Sequence, residues 1–228
     1  MFLWYFECYS QAVYLGMRDP DHQRRFATMP FESPDNVMDG EFDWSGLDKR
    51  LDDVKEAILS ETKSWAAEEA ARKGYVSIST SLQYQHERIV ENYKHRNHFT
   101  VDLHLADGSP FVWDLIYFGR PMTQLDGGIF NIKIYLSPRF PEEQPRVFVE
   151  PPLFHYRVSK TGILCYIPAR KDDMRSHIDA ILATLEDEPP YDPRTTVNLE
   201  ATRLFWGSPE DRKKYNRELR RSVEKSTE

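Results

Sequence analysis

Residues 99–149 set the tightest limit on what this chain can fold into. Four short segments there read as β-strands, because apolar residues alternate with polar ones or form brief aromatic runs between glycine and proline turns. The residues that carry the pattern are Phe99, Val101 and Leu103; the run Phe111 to Phe118; Phe130, Ile132, Ile134 and Leu136; and Arg146 to Val149. The turn signal Asp107-Gly108 joins the first two segments as a hairpin. The pattern predicts a four-stranded antiparallel meander.

Helical patterns lie on both sides of the predicted sheet. An amphipathic helix is predicted to begin at Ser45, with Asp48 in its first turn, and to end at Gly74. A second helix is predicted to begin near Thr80, where Thr80 and Gln83 have the spacing of a capping box. Further helices follow the strands, around Ile178 to Leu185, Asn198 to Phe205 and Arg212 to Val223. This order predicts an α+β fold: N-terminal helix, four-stranded meander, active-site loop and C-terminal helices.

The segments before the sheet divide the chain into three predicted parts. Residues 1–45 form an aromatic-rich leader and connecting segment, residues 46–79 an amphipathic helix extension, and residues 80–228 the main domain. Glu7 and other polar residues interrupt the leader, and no basic residue precedes Phe2, so the leader matches neither a membrane span nor a signal peptide. We expect it to pack on the rest of the chain or on a partner, not on a membrane.

Charge and cysteine content exclude several classes of protein. The formal net charge is −7, with Lys and Arg interleaved among acids, so nucleic acid is not an expected partner. The two cysteines, Cys8 and Cys165, do not make a disulfide framework, and no Cys/His set has zinc-ligand spacing. We expect no metal, no cofactor and a reducing compartment, the cytoplasm, the nucleus or both. Cys8, in the apolar leader, is expected to be a packing residue.

A series of landmarks between Leu82 and Glu224 follows the order of a known family. They are Trp113; Gly119, Thr123 and Gly127 to Phe130; Phe140-Pro141, Pro145 and Val147; His155; Gly162 to Cys165; Asp192-Pro193; and Asn198 to Ala201. This part of the chain resembles the core domain of ubiquitin-conjugating enzymes, which carry an activated ubiquitin or ubiquitin-like protein as a thioester on a cysteine. The resemblance implies that Cys165 is the nucleophile and that His155 supports the site structurally. It also implies ubiquitin or a ubiquitin-like protein, together with an activating enzyme, as partners.

The residues after His155 depart from that family. Tyr156 and Arg157 replace a proline and an asparagine, and in the family the asparagine stabilises the oxyanion formed when an amine attacks the thioester. A lost oxyanion donor typically costs about 3 kcal/mol, or roughly a hundredfold in rate. Arg157 is a candidate replacement because its guanidinium is always charged; the alternative is that it only lies on the surface. Thiol–thioester exchange depends mainly on the thiolate and its access, so aminolysis is the step expected to suffer.

The setting of Cys165 favours a nucleophile, although a lone cysteine is more often buried and inert. The preceding loop carries Lys160, Arg157 and His155, which are expected to lower the pKa of the thiol from about 8.5 and to expose it to a large partner. His155 and Cys165 also have the composition of a protease pair, but no third group accompanies them. A carrier is therefore favoured over a hydrolase.

Asp192 follows the acidic stretch from Glu186 to Glu188. It is our candidate for the acid that positions an incoming lysine, and the alternative is a turn residue before Pro193. The acids that precede it are alternatively a solvated run.

The surfaces that bind partners also differ from the family. Glu142 stands where the family has an exposed phenylalanine for its ligases, and the region from Asp173 to Ser176 lacks the expected tryptophan and proline. A carboxylate in place of an apolar anchor weakens such a contact, so we expect an unusual ligase or a partner that docks on residues 1–79. The predicted function is a conjugating enzyme that transfers its modifier from Cys165 to an amine. The alternative is a catalytically weak adaptor of the same fold that binds a ubiquitin-like protein or a pathway partner.

Overall fold

A computed structural model describes residues 1–20, 42–68, 76–95, 100–188 and 190–228. The chain divides into two units, Met1–Ile58 and Leu59–Glu228. Within the described ranges, no helix combines the length and the apolar character needed to cross a membrane.

The first unit consists of helices. It contains α1 (Phe2–Arg18), which buries Leu3 and Val13, and the part of α2 (Trp44–Glu68) that ends at Ile58. Asp43 caps α2, because its carboxylate accepts a hydrogen bond from the amide of Gly46 at 2.8 Å. The predicted cap at Ser45 is therefore wrong, since Ser45 already lies in the first turn. The predicted helix end at Gly74 and most of the connecting segment lie outside the described residues.

The second unit is built on four antiparallel strands. They are β1 (Val101–Leu105), β2 (Val112–Phe118), β3 (Ile129–Tyr135) and β4 (Arg146–Glu150), in that spatial order. One buried row crosses the sheet in register: Leu103, Leu115, Ile132 and Val149. The predicted meander is confirmed, because alternate residues of each strand enter one hydrophobic core. Phe99, assigned to the first strand from the sequence, lies outside the described residues.

Helices precede and follow the sheet. They are α3 (Val76–His95), α4 (Met174–Glu186), α5 (Leu199–Phe205) and α6 (Pro209–Lys225). The predicted start of α3 near Thr80 is wrong, because the Thr80 hydroxyl donates to the Val76 carbonyl at 2.7 Å within the helix. Asn198 caps α5, while Ser208 and Asp211 form a capping box that starts α6 earlier than expected. The α+β fold class is confirmed.

The end of α2 packs against the start of β4 through Arg146. The side chains of Trp65 and Thr62 are buried there. The guanidinium of Arg146 lies 4.2 Å from the centre of the Trp65 ring, and it donates to Thr62 Oγ1 at 2.5 Å and to Glu61 Oε2 at 2.7 Å. Residues 59–68 therefore belong to the unit that carries the sheet, whereas a domain start at residue 80 stays a prediction.

Candidate active site

The candidate nucleophile lies at the end of a loop that folds back along β4. The amide of Val149 donates to the carbonyl of Gly162 at 2.7 Å, and the amide of Leu164 donates to the carbonyl of Val147 at 2.9 Å. Gly162 has φ +86°, and a Cβ there would come within 2.6 Å of the Val149 carbonyl oxygen. A side chain does not fit this turn, so Gly162 directs the chain into Cys165.

His155 contacts the backbone of the same loop. Its Nδ1 accepts a hydrogen bond from the amide of Arg157 at 3.1 Å, and its carbonyl accepts one from the amide of Val158 at 3.0 Å. Burial, reinforced by the positive charge of Arg157, lowers the pKa of His155 to about 3, so its ring is neutral at physiological pH. These contacts suit a supporting residue, which is the role that the resemblance implies.

The Cys165 thiol is buried, contrary to expectation. The residue is 0% exposed, and its amide donates to the carbonyl of Arg157 at 2.8 Å. Burial raises the pKa of Cys165 to about 11; the positive charge of Arg157 lowers it and the carboxylate of Asp192 raises it, both to a smaller extent. The expectation of an exposed thiol with a lowered pKa is therefore wrong. The loss of hydration outweighs the attraction between thiolate and guanidinium.

The same pKa values argue against a protease pair. His155, with a pKa of about 3, would have to remove a proton from Cys165, with a pKa of about 11. A base so much weaker than the thiolate cannot hold that proton. The Nδ1 atom of His155 is moreover engaged by a backbone amide, so the ring is oriented by the loop.

Arg157 lies half-buried among these groups rather than on the open surface. Its charge lowers the pKa of His155, of Cys165 and of Asp192, so the guanidinium is near all three. Its Nε is buried and has no hydrogen-bond partner among the described residues. A buried unpaired donor typically costs about 1–3 kcal/mol. Arg157 thus has an unused charged donor near Cys165, and a part in catalysis stays a prediction.

The contacts of Asp192 bear on both of its predicted roles, a turn residue before Pro193 and an acid close to the thiol. Its carboxylate accepts hydrogen bonds from the backbone amide of Arg194 at 2.9 Å and from the guanidinium of Arg194 at 2.9 Å. These bonds lower the pKa of Asp192, and the charge of Arg157 adds to the shift. Because the same carboxylate acts on the pKa of Cys165, the turn carries the acid to the neighbourhood of the thiol. The positioning of an incoming lysine by Asp192 stays a prediction.

Tyr156 is a buried anchor of the loop that sequence reasoning missed. Its ring centre lies 4.5 Å from that of Phe205 and 4.7 Å from that of Trp206. Its hydroxyl donates to the carbonyl of Asp187 at 3.2 Å. No spacing rule links these positions, so the only signal in the sequence was an aromatic residue where the family has proline.

The acidic stretch from Glu186 to Glu188, at the C-terminal end of α4, is paired in part. Glu186 accepts hydrogen bonds from the hydroxyl of Tyr117 at 2.9 Å and from Nε of Arg120 at 2.8 Å. Glu188 accepts one from the guanidinium of Arg212 at 2.6 Å. Glu186 and Glu188 connect the end of α4 to the turn after β2 and to α6, while Asp187 and Glu188 are exposed, so the alternative of a solvated run is not overturned.

The surfaces that the family uses for ligases carry other residues here. Glu142 is exposed, and Asp173 caps α4 by accepting a hydrogen bond from the amide of Arg175 at 3.2 Å. Ile167, two positions after Cys165, is the exposed apolar side chain of this region, at 67%. In the part of the chain that the structure describes, no group of three or more His, Cys, Asp or Glu residues could hold a metal ion.

Comparison with known proteins agrees with this architecture. A family model described as ubiquitin-conjugating enzyme matches residues 83–222. Similar proteins include Ubiquitin-conjugating enzyme E2 3 of Arabidopsis thaliana, 28% identical over 125 residues that cover 53% of this chain and 79% of that protein. Ubiquitin-conjugating enzyme E2 of African swine fever virus (strain Badajoz 1971 Vero-adapted) is 24% identical over 163 residues, 65% of this chain and 73% of that protein. Vacuolar protein sorting-associated protein 37A of Homo sapiens is 28% identical over 128 residues, 56% of this chain and 29% of that protein. Since the match to the family covers most of the chain and includes the sheet, the loop and Cys165, this protein belongs to the ubiquitin-conjugating enzyme family.

Proposed function

We propose that this protein accepts ubiquitin or a ubiquitin-like protein from an activating enzyme as a thioester on Cys165 and transfers it to an amine. The observation that carries the proposal is the loop that ends at Cys165, with Arg157 and Asp192 close enough to act on the thiol electrostatically. Family membership supplies the reaction class, and the described residues supply a nucleophile, a cation and an acid.

The first step is an exchange between a thiol and a thioester. The sulfur of Cys165 attacks the carbonyl carbon of the activating enzyme's thioester, the old carbon–sulfur bond breaks, and the departing sulfur takes up the proton that Cys165 loses. The exchange is nearly isoenergetic. With a thiol pKa of about 11, few molecules hold a thiolate before the activating enzyme binds. We propose that approach of the partner rehydrates or otherwise stabilises the thiolate.

The second step is aminolysis of the new thioester. The amine nitrogen bonds to the carbonyl carbon and negative charge develops on the carbonyl oxygen; collapse breaks the carbon–sulfur bond, leaves the modifier joined through an amide, and the proton that the amine loses goes to the sulfur of Cys165. We propose that the unused Nε–H of Arg157 stabilises this oxyanion, and that Asp192 orients the incoming lysine. A charged donor stabilises an oxyanion strongly in a site of low dielectric; because Nε of Arg157 and Cys165 are both buried, the opening that admits the partner must also bring this donor to the oxyanion.

The decisive experiment is a charging assay. The protein is mixed with activating enzyme, ATP and ubiquitin, and then with each ubiquitin-like protein in turn, and reductant-sensitive adducts are sought by electrophoresis and intact mass. An adduct that disappears in Cys165→Ala and persists in Cys8→Ala supports the proposal. If none of the modifiers forms an adduct, the proposal is rejected.

The roles of Arg157 and Asp192 are tested on the charged protein. Discharge to free lysine is followed after the activating enzyme is quenched, in Arg157→Ala, Arg157→Lys and Asp192→Asn. Arg157→Ala is expected to discharge at least tenfold more slowly, with partial retention in Arg157→Lys. An unchanged rate in Arg157→Ala would show that another group stabilises the oxyanion.

The second candidate is an adaptor of the same fold, and the burial of Cys165 favours it. A thiol at 0% exposure and a pKa of about 11 suit a packing residue as well as a nucleophile. The adaptor predicts that ubiquitin or a relative binds the Cys165→Ala variant with unchanged affinity and that wild type forms no adduct. Calorimetric titration of both forms separates the two candidates.

The expected partners and compartment remain part of the proposal. Besides the modifier and the activating enzyme, we propose an unusual ligase or a partner that docks on residues 1–79, since an exposed Glu142 replaces an apolar anchor. A reaction that depends on a free thiol also suits a reducing compartment, the cytoplasm or the nucleus. Pull-down with the full chain and with a chain lacking residues 1–58 tests where the partner binds.

A further inference from the structure

The ring of Tyr156 is fixed on three sides. The residue is 1% exposed. Its ring centre lies 4.1 Å from that of His155, and it packs against Phe205 and Trp206 at the distances given above. Aromatic contacts of this kind hold a ring in one orientation. The residue that precedes Arg157 therefore cannot rotate without displacing the end of α5.

The backbone of Tyr156 is held by the start of α5. Its carbonyl accepts hydrogen bonds from the amide of Val197 at 2.8 Å and from the amide of Asn198 at 3.2 Å. Asn198 is also the residue whose side chain caps α5. The loop is thus hydrogen-bonded to the capped N-terminus of α5, where the side chain of Asn198 already fixes the first turn.

The hydroxyl of Tyr156 reaches a third element. It donates to the carbonyl of Asp187, the residue at which the linker after α4 begins, between Glu186 at the end of the helix and Glu188. Burial raises the pKa of Tyr156 to about 12, so the hydroxyl keeps the proton that it donates. Ring, carbonyl and hydroxyl together attach one loop residue to α5 and to the linker that follows α4.

The next residue along the chain transmits this attachment to the site. The amide of Arg157 donates to Nδ1 of His155, and its carbonyl accepts the amide of Cys165. A change in the backbone at Tyr156 would therefore move the guanidinium of Arg157 relative to the sulfur of Cys165. Small displacements of this kind are costly in catalysis because reacting groups need close alignment.

We propose that Tyr156 is a positioning residue for aminolysis, which holds the guanidinium of Arg157 in register with Cys165 by hydrogen-bonding the linker at Asp187. This inference rests on the proposed function. It assigns to the tyrosine hydroxyl part of the orientation that the family obtains from a proline-asparagine pair, although Tyr156 touches neither the thioester nor the amine.

The test compares Tyr156→Phe with a matched control, Tyr117→Phe. Both substitutions remove a buried hydroxyl that donates a hydrogen bond at the C-terminal end of α4, to Asp187 and to Glu186 respectively. Only Tyr156 lies in the loop of Cys165. Tyr156→Phe is expected to discharge its thioester to free lysine about fivefold more slowly, as the loss of one neutral hydrogen bond allows. Its charging rate, and both rates in Tyr117→Phe, are expected to stay within about twofold of wild type.

Two further measurements decide whether Tyr156 acts through Arg157. In an Arg157→Ala background, Tyr156→Phe is expected to have no additional effect on discharge. The Nε–H resonance of Arg157 in an isotope-labelled sample is expected to shift in Tyr156→Phe and not in Tyr117→Phe. The inference is overturned if Tyr156→Phe leaves discharge unchanged, or if it slows charging as much as discharge. It is also overturned if Tyr156→Phe slows discharge further in the Arg157→Ala background. A wild-type protein that forms no adduct instead rejects the proposed function, and the resonance test still reports on the coupling.

Discussion

Alkylation of the two cysteines at stepped pH tests the electrostatics of the candidate nucleophile. A pKa of about 11 for Cys165 leaves roughly one thiol in 3,000 ionised at pH 7.5, against about one in ten for an ordinary cysteine. The thiolate is therefore about 300-fold scarcer. Since the thiolate is the reacting species, the rate of alkylation should rise about tenfold per pH unit up to about pH 10.

Cys8 provides the reference within the same molecule. It is partly exposed, and burial, with the nearby charge of Glu7, raises its pKa as well. Iodoacetamide labelling followed by peptide mass spectrometry gives both rates in one sample. Cys8 is expected to react faster at every pH below about 9, because access to Cys165 also requires local opening.

The outcome that refutes this reasoning is specific. If Cys165 reacts as fast as Cys8 at pH 7.5, or if its rate levels off below about pH 9, the thiolate is stabilised and burial does not dominate. Arg157→Gln sharpens the result, because removal of the positive charge is expected to slow the alkylation of Cys165 further and to leave Cys8 unchanged. Faster labelling in that variant would mean that Arg157 shields the thiol sterically.

The remaining predictions concern stability and transfer. His155 has a pKa of about 3 in the fold against about 6.5 unfolded, so the unfolded state binds the extra proton below pH 6.5. The free energy of unfolding should fall by up to roughly 1.4 kcal/mol for each pH unit between about pH 6 and pH 3. When it is measured by urea titration at several pH values, it should depend less steeply on pH in His155→Gln than in wild type. Trp65→Ala is expected to lower the free energy of unfolding by about 3 kcal/mol, measured by urea unfolding; a decrease of less than about 1 kcal/mol would contradict the packing of Trp65 against Arg146. For the same reason, a chain that begins at Leu59 should have a higher melting temperature than one that begins at residue 80. Asp192→Asn keeps an acceptor for the Arg194 amide, so slower lysine discharge at an unchanged melting temperature would indicate lysine positioning, and an unchanged discharge rate a turn residue.

The sheet was predictable because its residues decide their own structure locally. Alternation in the third strand places Phe130, Ile132 and Ile134 on one face whatever the rest of the chain does, and all three are buried. Helix starts were harder, because several polar residues compete as caps. Ser45 has a suitable side chain, but Asp43 is the residue that lies just before the first turn, and its carboxylate accepts a hydrogen bond from the amide of Gly46 in that turn.

The state of the candidate nucleophile could not be read from neighbouring residues in the sequence. Lys160, Arg157 and His155 suggested a lowered pKa, yet of these only Arg157 lowers the pKa of Cys165, and desolvation by the surrounding fold outweighs it. Burial depends on residues far along the chain, which spacing does not report. The same holds for Tyr156, whose partners are 31 positions away at Asp187 and farther still in α5.

Synthesis of the chain delivers the parts of this site in an unfavourable order. Tyr156 and Cys165 leave the ribosome well before Phe205, which packs on the tyrosine ring, and before Arg212, which pairs with the linker. A nascent or truncated chain that ends before α5 therefore lacks the ring and backbone partners of Tyr156, and the aromatic side chain is left for chaperones to bind. Completion of α5 is therefore the step that buries the ring of Tyr156 and fixes the backbone of the loop that leads to Cys165.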